Sequence, residues 1–274
     1  MDKKFAVIGK GFIYNLHSEA IAKIGGEIVD IVDGSNGPDA WKEMVGKTKA
    51  DCVVILAPNH LHFEMAKFSA ENGKMVLCEK PLALRSEEAR VLAGYPNVFT
   101  VYQLRYHPSV KKIKSEMQKG EEGEPSSSPS SHKRDSVIEM DISVHRDEDY
   151  WESWKGRADR SGGILFNLGV HYFDLLLHLF GEPTEISTQK LTDKTGEGVI
   201  KGENYSCNWR ISAEASKDSQ SRLFKINGVN YDFSAKENLH FYVYKDLLEG
   251  KGILPKESLK SIELIEKIYE SYKK

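Results

Sequence analysis

Four polar side chains, Asn167, His171, Asp174 and His178, recur at spacings of four, three and four inside an apolar run bracketed by Gly162-Gly163 and Gly181. On a helix these spacings line up an amide, an imidazole, a carboxylate and a second imidazole along one stripe. Buried polar groups need partners. One solution is hydrogen bonding to neighbouring core elements. The other is chemistry, with an imidazole exchanging a proton with a substrate hydroxyl and a carboxylate one turn on, Asp174, fixing the ring. Lys80 offers a second proton-transfer group. It stands in Glu79-Lys80-Pro81, directly after the apolar run 75–78. A lysine desolvated at the end of a buried strand, near other positive charge, has a lowered pKa. A Lys-Pro pair is also an ordinary turn, and at X-Pro the cis bond is cheap. No metal is expected. A zinc centre on His171 and His178 lacks a third ligand at metal spacing, and Cys52, Cys78 and Cys207 form neither a zinc pattern nor a disulfide framework.

The first hundred residues supply the frame. A strand over residues 3–8 runs into Gly9-Lys10-Gly11-Phe12-Ile13-Tyr14, close to G-x-G-x-x-G with Tyr14 in the third glycine position. Gly9 permits a tight turn. Gly11 lets a pyrophosphate approach, and the N-terminus of a helix over 13–24, beginning beside Phe12 and Ile13, favours that negative charge. A second strand, 27–32, ends at Asp33, where a carboxylate binds the adenosine ribose and repels a 2′-phosphate, favouring NAD over NADP. Asp33 beside Gly34 is alternatively a turn residue. Strands over 51–56, 75–78 and 98–102 continue a βα rhythm. Ligands of such sheets bind beyond the strands' carboxyl ends. Ala57, Pro58, Asn59, His60, His62, Glu79, Lys80 and Gln103 should therefore face the cofactor.

The second half reads differently. A helix over 109–118 leads to Glu121–Ser131, a low-complexity segment expected to be an exposed, mobile loop. Strand alternation resumes over 136–144. Residues 145–160 then mix charge with aromatics, including Tyr150, Trp151, Trp154, Lys155, Arg157 and Arg160, a composition that lines the mouth of an anionic-sugar site or simply a solvated loop. Further strands are predicted over 185–191, 204–214, 222–226 and 230–233, with Asn227-Gly228 as a hairpin turn. Helices over 238–249 and 257–271 close the chain. The expected class is α/β, a Rossmann domain over 1–104 and an α+β domain with a mostly antiparallel open sheet over 105–274, the last helix packing back on the first domain. With 274 residues and a net charge of −3, nothing argues for a nucleic-acid partner. No leader precedes the first strand, and the striped apolar run is too short and too polar to span a bilayer, so a reducing cytoplasm is expected.

With these residues in hand, the chain resembles the glucose–fructose oxidoreductase/inositol dehydrogenase (Gfo/Idh/MocA) family. The matching pieces are Gly9-Lys10-Gly11 with His17, Ala57-Pro58-Asn59-His60-Leu61-His62, Cys78-Glu79-Lys80-Pro81, Gly162-Gly163 with Asn167-Leu168-Gly169-Val170-His171-Tyr172-Phe173-Asp174, and the C-terminal Ser261-Ile262-Glu263 with Ile268-Tyr269-Glu270-Ser271. The resemblance implies bound NAD, Lys80 and His171 acting at the substrate hydroxyl with Asn167 one turn earlier, and a homo-oligomer (dimer or tetramer) through the open sheet. Many members carry Asp where Asn167 stands, so Asn167 can only hydrogen-bond the sugar or the imidazole. Gln103-Leu104-Arg105-Tyr106-His107-Pro108 and Ser153-Trp154-Lys155-Gly156 look most like the branch oxidising the 3-hydroxyl of UDP-N-acetylglucosaminuronate or UDP-N-acetylglucosamine in surface-polysaccharide (lipopolysaccharide, O-antigen) biosynthesis. Arg105, His107, Lys155 and Arg157 are then candidates for the substrate's carboxylate or diphosphate. A dehydrogenase of a free polyol or aldose and a non-catalytic dinucleotide-binding regulator stand as alternatives.

Overall fold

The computed structural model describes residues 3–122, 135–234 and 237–273. Five parallel strands form the first sheet in the order β2-β1-β3-β4-β5, namely β1 Lys4–Ile8, β2 Glu27–Val32, β3 Cys52–Ile55, β4 Met75–Cys78 and β5 Val98–Thr100. β3 is buried at every position, which is why it reads as an unbroken apolar run. Side chains alternate between the faces. Phe5, Val7, Val54 and Leu77 pack with Ala20 and Ile21 of α1 (Tyr14–Lys23), whereas Ala6, Ile8, Val53 and Val76 pack with Trp41, Met65 and Ala89 on the other face. Those last three belong to α2 (Ala40–Lys47), α3 (His62–Glu71) and α4 (Ser86–Leu92).

The second sheet has six strands in the order β11-β10-β6-β9-β8-β7. They are β6 Ser136–Ser143, β7 Pro183–Leu191, β8 Thr195–Gly202, β9 Tyr205–Ser212, β10 Ser221–Ile226 and β11 Val229–Asn230. Every neighbouring pair is antiparallel except β6 with β9. The hairpin turn falls at Asn227-Gly228 as expected, with φ of 50° and 80°, the left-handed pair that suits right-twisted strands. β8 is a strand that the sequence reading did not expect, because three glycines suppress its β propensity. Gly198 explains the glycine content, since a Cβ there would stand 2.3 Å from the Ser187 carbonyl oxygen on β7. β11 is shorter than the predicted 230–233.

α5 (Pro108–Glu122) connects the halves, and it takes in the first two residues of the low-complexity segment. The rest of that segment, 123–131, lies outside the described residues. α6 (Glu148–Glu152) and α7 (Ala158–Ser161) are short. α8 (Val170–Phe180) lies on the second sheet, where the Phe173 and Trp209 rings meet edge to face at 5.3 Å. Ala158–Phe180 is the stretch long and apolar enough by composition to cross a membrane, and 67% of it is buried inside the protein. It is a core element.

α9 (His240–Leu248) and α10 (Pro255–Tyr272) return to the first half. Val243, Tyr244 and Leu247 of α9 complete the apolar layer beside α1. Ser258 of α10 donates its hydroxyl to Thr100 Oγ1 at 2.8 Å, and Thr100 also bridges to Ile253 in the backbone.

Candidate active site

The striped helix is not a uniform α-helix. Residues 165–169 form a π turn that leads into α8. Such widened turns recur at functional sites. Asn167 sits in the middle of this one. Its backbone oxygen accepts a hydrogen bond from Lys80 Nζ at 3.0 Å, so the lysine after β4 reaches directly across to the second half. The Lys80–Pro81 bond is cis. Asn167 Nδ2 donates to the Tyr150 hydroxyl at 2.7 Å. His171, one turn on, lines the same crevice of about 720 Å³ as Lys80, Asn167 and Tyr150, and its Nδ1 is buried without a partner. Burial, and then the Lys80 charge, hold the His171 imidazole well below its ordinary 6.5. Lys80 is itself lowered by burial, and Lys155 and Arg146 lower it further against the opposing pull of Glu79. A neutral imidazole therefore faces the same space as an ammonium group, which is the pairing that proton transfer at a hydroxyl needs.

Glu79 is buried beside Lys80. Its Oε1 accepts from His17 Nε2 at 3.0 Å and lies 3.5 Å from His240 Nε2. Burial alone would raise this carboxyl, yet the hydrogen bonds from the two histidines hold it well below the usual carboxylate range. His17 Nδ1 reaches the Tyr244 hydroxyl at 2.8 Å. These contacts tie α1 and α9 to the floor of the crevice. His17, Glu79 and His240 have the composition of a metal triad, with ligand-type atoms within 4.8 Å of one another. His171 and His178 share no such group.

The cofactor candidates gather at one end. Gly9 has φ +105°, and a Cβ there would meet the Leu56 carbonyl oxygen at 2.7 Å, so only glycine fits the turn. Gly11 has no heavy atom within 4 Å of its would-be Cβ, which leaves its backbone open to a pyrophosphate. Phe12, Ile13, Ala57, Asn59 and Gln103 line the crevice beside it. The Gln103 Oε1 is a buried acceptor with no partner. Asp33 follows β2, and its Oδ1 accepts from Ser35 N at 2.9 Å, so it caps the turn Gly34–Asn36. Hydrogen bonds from Ser35 lower its pKa, and the carboxylate stays ionised where an adenosine ribose would lie. These features fit NAD. Pro58 precedes the turn Asn59–Leu61, and Asn59 Nδ2 donates to Ser161 O at 2.8 Å. His62 acts as a pin rather than a free donor, because its ring nitrogens meet the carbonyls of Pro81 at 2.6 Å and Ala57 at 2.8 Å.

The expected anion-binding set is redrawn. Arg105 does not face the crevice. Its guanidinium grips Asp174 through two bonds, Nε to Oδ2 at 2.8 Å and Nη2 to Oδ1 at 2.7 Å, and it also pairs with Glu257. Asp174, with Ser261 donating to it at 3.1 Å, therefore anchors the helix and does not orient His171. The π turn and helix rotation separate groups that an ideal stripe aligns. His178 faces Arg105 and Lys114, and burial and then their charges push it down to about 4. His107 is buried, accepts from Ser109 N at 3.1 Å and packs on Phe233. Arg157 is exposed and pairs with Asp159 at 3.0 Å. Only Lys155 of the four lines the crevice, its Nζ 5.5 Å from the Phe12 ring and 5.9 Å from the Tyr150 ring. The lining also holds residues outside the expected site set, among them Arg146 and Tyr150. Both lie in the charged and aromatic stretch 145–160, within which no motif singles out Arg146.

A parallel sheet with a glycine turn, and a lysine and histidine brought together from two halves, define a dinucleotide-dependent oxidoreductase. The sequence matches a family model described as "Oxidoreductase family, NAD-binding Rossmann fold" over residues 3–95 and another for the GFO/IDH/MocA C-terminal domain over residues 110–217. The chain belongs to the GFO/IDH/MocA family. The WlbA (WbpB) dehydrogenase of Thermus thermophilus, solved with NAD and UDP-GlcNAcA, superposes with a TM-score of 0.80 at 25% identity, over 95% of this chain and 92% of that one. Glucose-6-phosphate 3-dehydrogenase of Bacillus subtilis is 27% identical over 88% of this chain and 71% of its own length. The 2,7-anhydro-N-acetylneuraminate hydratase of Escherichia coli is 26% identical over 67% of this chain, which spans about half (51%) of that relative.

Proposed function

We propose that this chain oxidises a ring hydroxyl, the 3-hydroxyl, of a UDP-N-acetyl-hexosamine or its uronate, in the cytoplasm, as a step of surface-polysaccharide biosynthesis. The observation that carries the reading is the meeting of Lys80 and His171 from opposite halves in one crevice beside the glycine turn. The likeness to the Thermus dehydrogenase, solved with UDP-GlcNAcA, supports the substrate class. NAD, when bound, accepts the hydride from the ring carbon. Lys80 Nζ hydrogen-bonds the reacting oxygen and stabilises the negative charge that develops there. Neutral His171 takes the hydroxyl proton. Asn167 positions Lys80 through its backbone oxygen and Tyr150 through its amide. Assembly into a dimer or tetramer through the open second sheet completes the proposal.

The test is a screen by nicotinamide absorbance of UDP-sugars and UDP-uronates against inositols and hexoses. Preference for the sugar nucleotides by at least ~10²-fold in kcat/KM is expected, since each distinct charged contact contributes on the order of a tenfold factor or more. A second reading, a dehydrogenase of free or phosphorylated sugars, is favoured by the likeness to the Bacillus enzyme. Preference for those substrates would replace the first reading. A chain that binds NAD and turns over none of them is the non-catalytic regulator.

The pH profile follows from the two groups. Oxidation needs His171 unprotonated, so kcat/KM falls as the pH drops through the histidine's pKa, which lies well below 6.5. It needs Lys80 protonated, so the alkaline limb appears below 10.5. An acid limb centred above 6.5 would remove His171 as the base.

A further inference from the structure

We propose that Arg146 forms an anion-recognition subsite for the substrate and that the group it takes is an acid carried on or next to the oxidised sugar, a carboxylate or a phosphate. The inference rests on the reading above and assigns the recognition role that Arg105, His107 and Arg157 do not fill.

Arg146 lies just beyond the end of β6, on the wall shared by two cavities, the main crevice and a smaller one of about 340 Å³. Its guanidinium lies over the Tyr150 ring at 4.8 Å, and its Nε is buried without a hydrogen-bond partner. Among the described residues no carboxylate lies within ion-pairing distance of it. The same holds for Lys155 and for Lys80, whose Nζ is held only by the Asn167 backbone oxygen. Three cations thus face one space with no carboxylate in ion-pairing contact, although Glu79 acts on Lys80 and Asp147 on Lys155 from farther off. Asp147 and Asp149 reach the crevice too, but Asp147 accepts from Tyr150 N and caps α6. Like charges brought together are unfavourable unless an anion joins them; burial lowers both Lys80 and Lys155, and the Arg146 charge adds to that lowering. A guanidinium lying over a tyrosine ring keeps its N–H donors for another partner, and its fork of donors suits a two-oxygen acid.

The smaller cavity extends the argument. Beyond Arg146 it is lined by Trp151, Lys194 and Glu214, with the Lys194 ammonium 4.6 Å from the indole centroid. A substrate continuing past Arg146 meets a flat ring and a further cation, the chemistry that accommodates a nucleoside diphosphate. The acid at Arg146 therefore has two sources, a carboxylate or phosphate on the hexose itself or the diphosphate of the nucleotide.

The experiment compares wild type, Arg146→Met and Arg146→Lys on UDP-N-acetylglucosaminuronate, UDP-N-acetylglucosamine and glucose 6-phosphate, with UDP as a competitive inhibitor. NAD affinity and the thermal midpoint serve as controls for folding. If the acid is on the hexose, Arg146→Met raises KM about 30-fold or more for the acidic sugars and leaves the neutral UDP-sugar and UDP inhibition within about threefold, as loss of a charge-assisted bidentate bond predicts. If it is the diphosphate, KM for both UDP-sugars and the UDP inhibition constant rise together. Arg146→Lys retains the charge without the fork and raises the same constants about tenfold, which keeps the test decisive should the Met variant not fold. KM values within threefold of wild type for every ligand, in either folded variant, overturn the assignment and leave the oxidoreductase reading standing. A wild-type enzyme that oxidises only neutral polyols overturns the sugar-nucleotide reading and this assignment with it.

Discussion

Replacing Lys80 by Met lowers turnover by about three powers of ten or more, while NAD binding stays within a few-fold of wild type. The size follows from what is removed at once, a donor to the reacting oxygen and a positive charge beside it, each worth on the order of 10²-fold. Methionine nearly matches the lysine stem in length, so packing changes little. The bond lost in the resting protein, Nζ to the Asn167 carbonyl, runs to the backbone of the π turn and contributes about 1 kcal/mol. Turnover is read by nicotinamide absorbance and NAD affinity by titration calorimetry. Turnover within about tenfold of wild type would take Lys80 out of the chemistry.

Asp174→Asn lowers the free energy of unfolding by about 3 kcal/mol, because it removes the buried partner of the Arg105 guanidinium and leaves only the more exposed Glu257 as its counter-charge. Asp174 is 1% exposed and holds Arg105 through both carboxylate oxygens. Arg105→Met, which strands the carboxylate, costs a similar amount. The double variant Arg105→Met/Asp174→Asn is less destabilised than the sum of the two, because the second change removes a group the first has already orphaned. Urea midpoints measure all three. A loss below about 1 kcal/mol for Asp174→Asn would mean that water reaches the pair. Substrate KM should move little in a folded Arg105 variant, which separates this arginine from Arg146.

The first sheet was legible because a parallel sheet covered on both faces leaves an unmistakable trace, short apolar runs such as 52–56 and 75–78 followed by polar turns. The proposed catalytic pair was legible through local motifs, Glu79-Lys80-Pro81 and the spaced polar residues that include His171. What escaped was governed by long-range geometry. The stripe of Asn167, His171, Asp174 and His178 assumed a regular helix, and the π turn together with burial on all sides divided it between the crevice and the Arg105 pair. Nothing within a few residues of Arg105 reveals that its partners are Asp174 and Glu257. Arg146 was invisible for the opposite reason, as its value lies in the absence of a partner. β8 escaped because its glycines answer to the close approach of β7 and not to strand propensity.

The return of α9 and α10 to the first half bears on how the molecule reaches its native state. The outer edge of β5, which pairs with β4 on its other side, is bridged at Thr100 only when Ile253 arrives, and the layer over α1 is closed only by Val243, Tyr244 and Leu247. The first sheet therefore keeps part of its α1-side apolar face uncovered until residues 240–248 have been made, and a nascent chain stalled before residue 240 would be a ready client for chaperones.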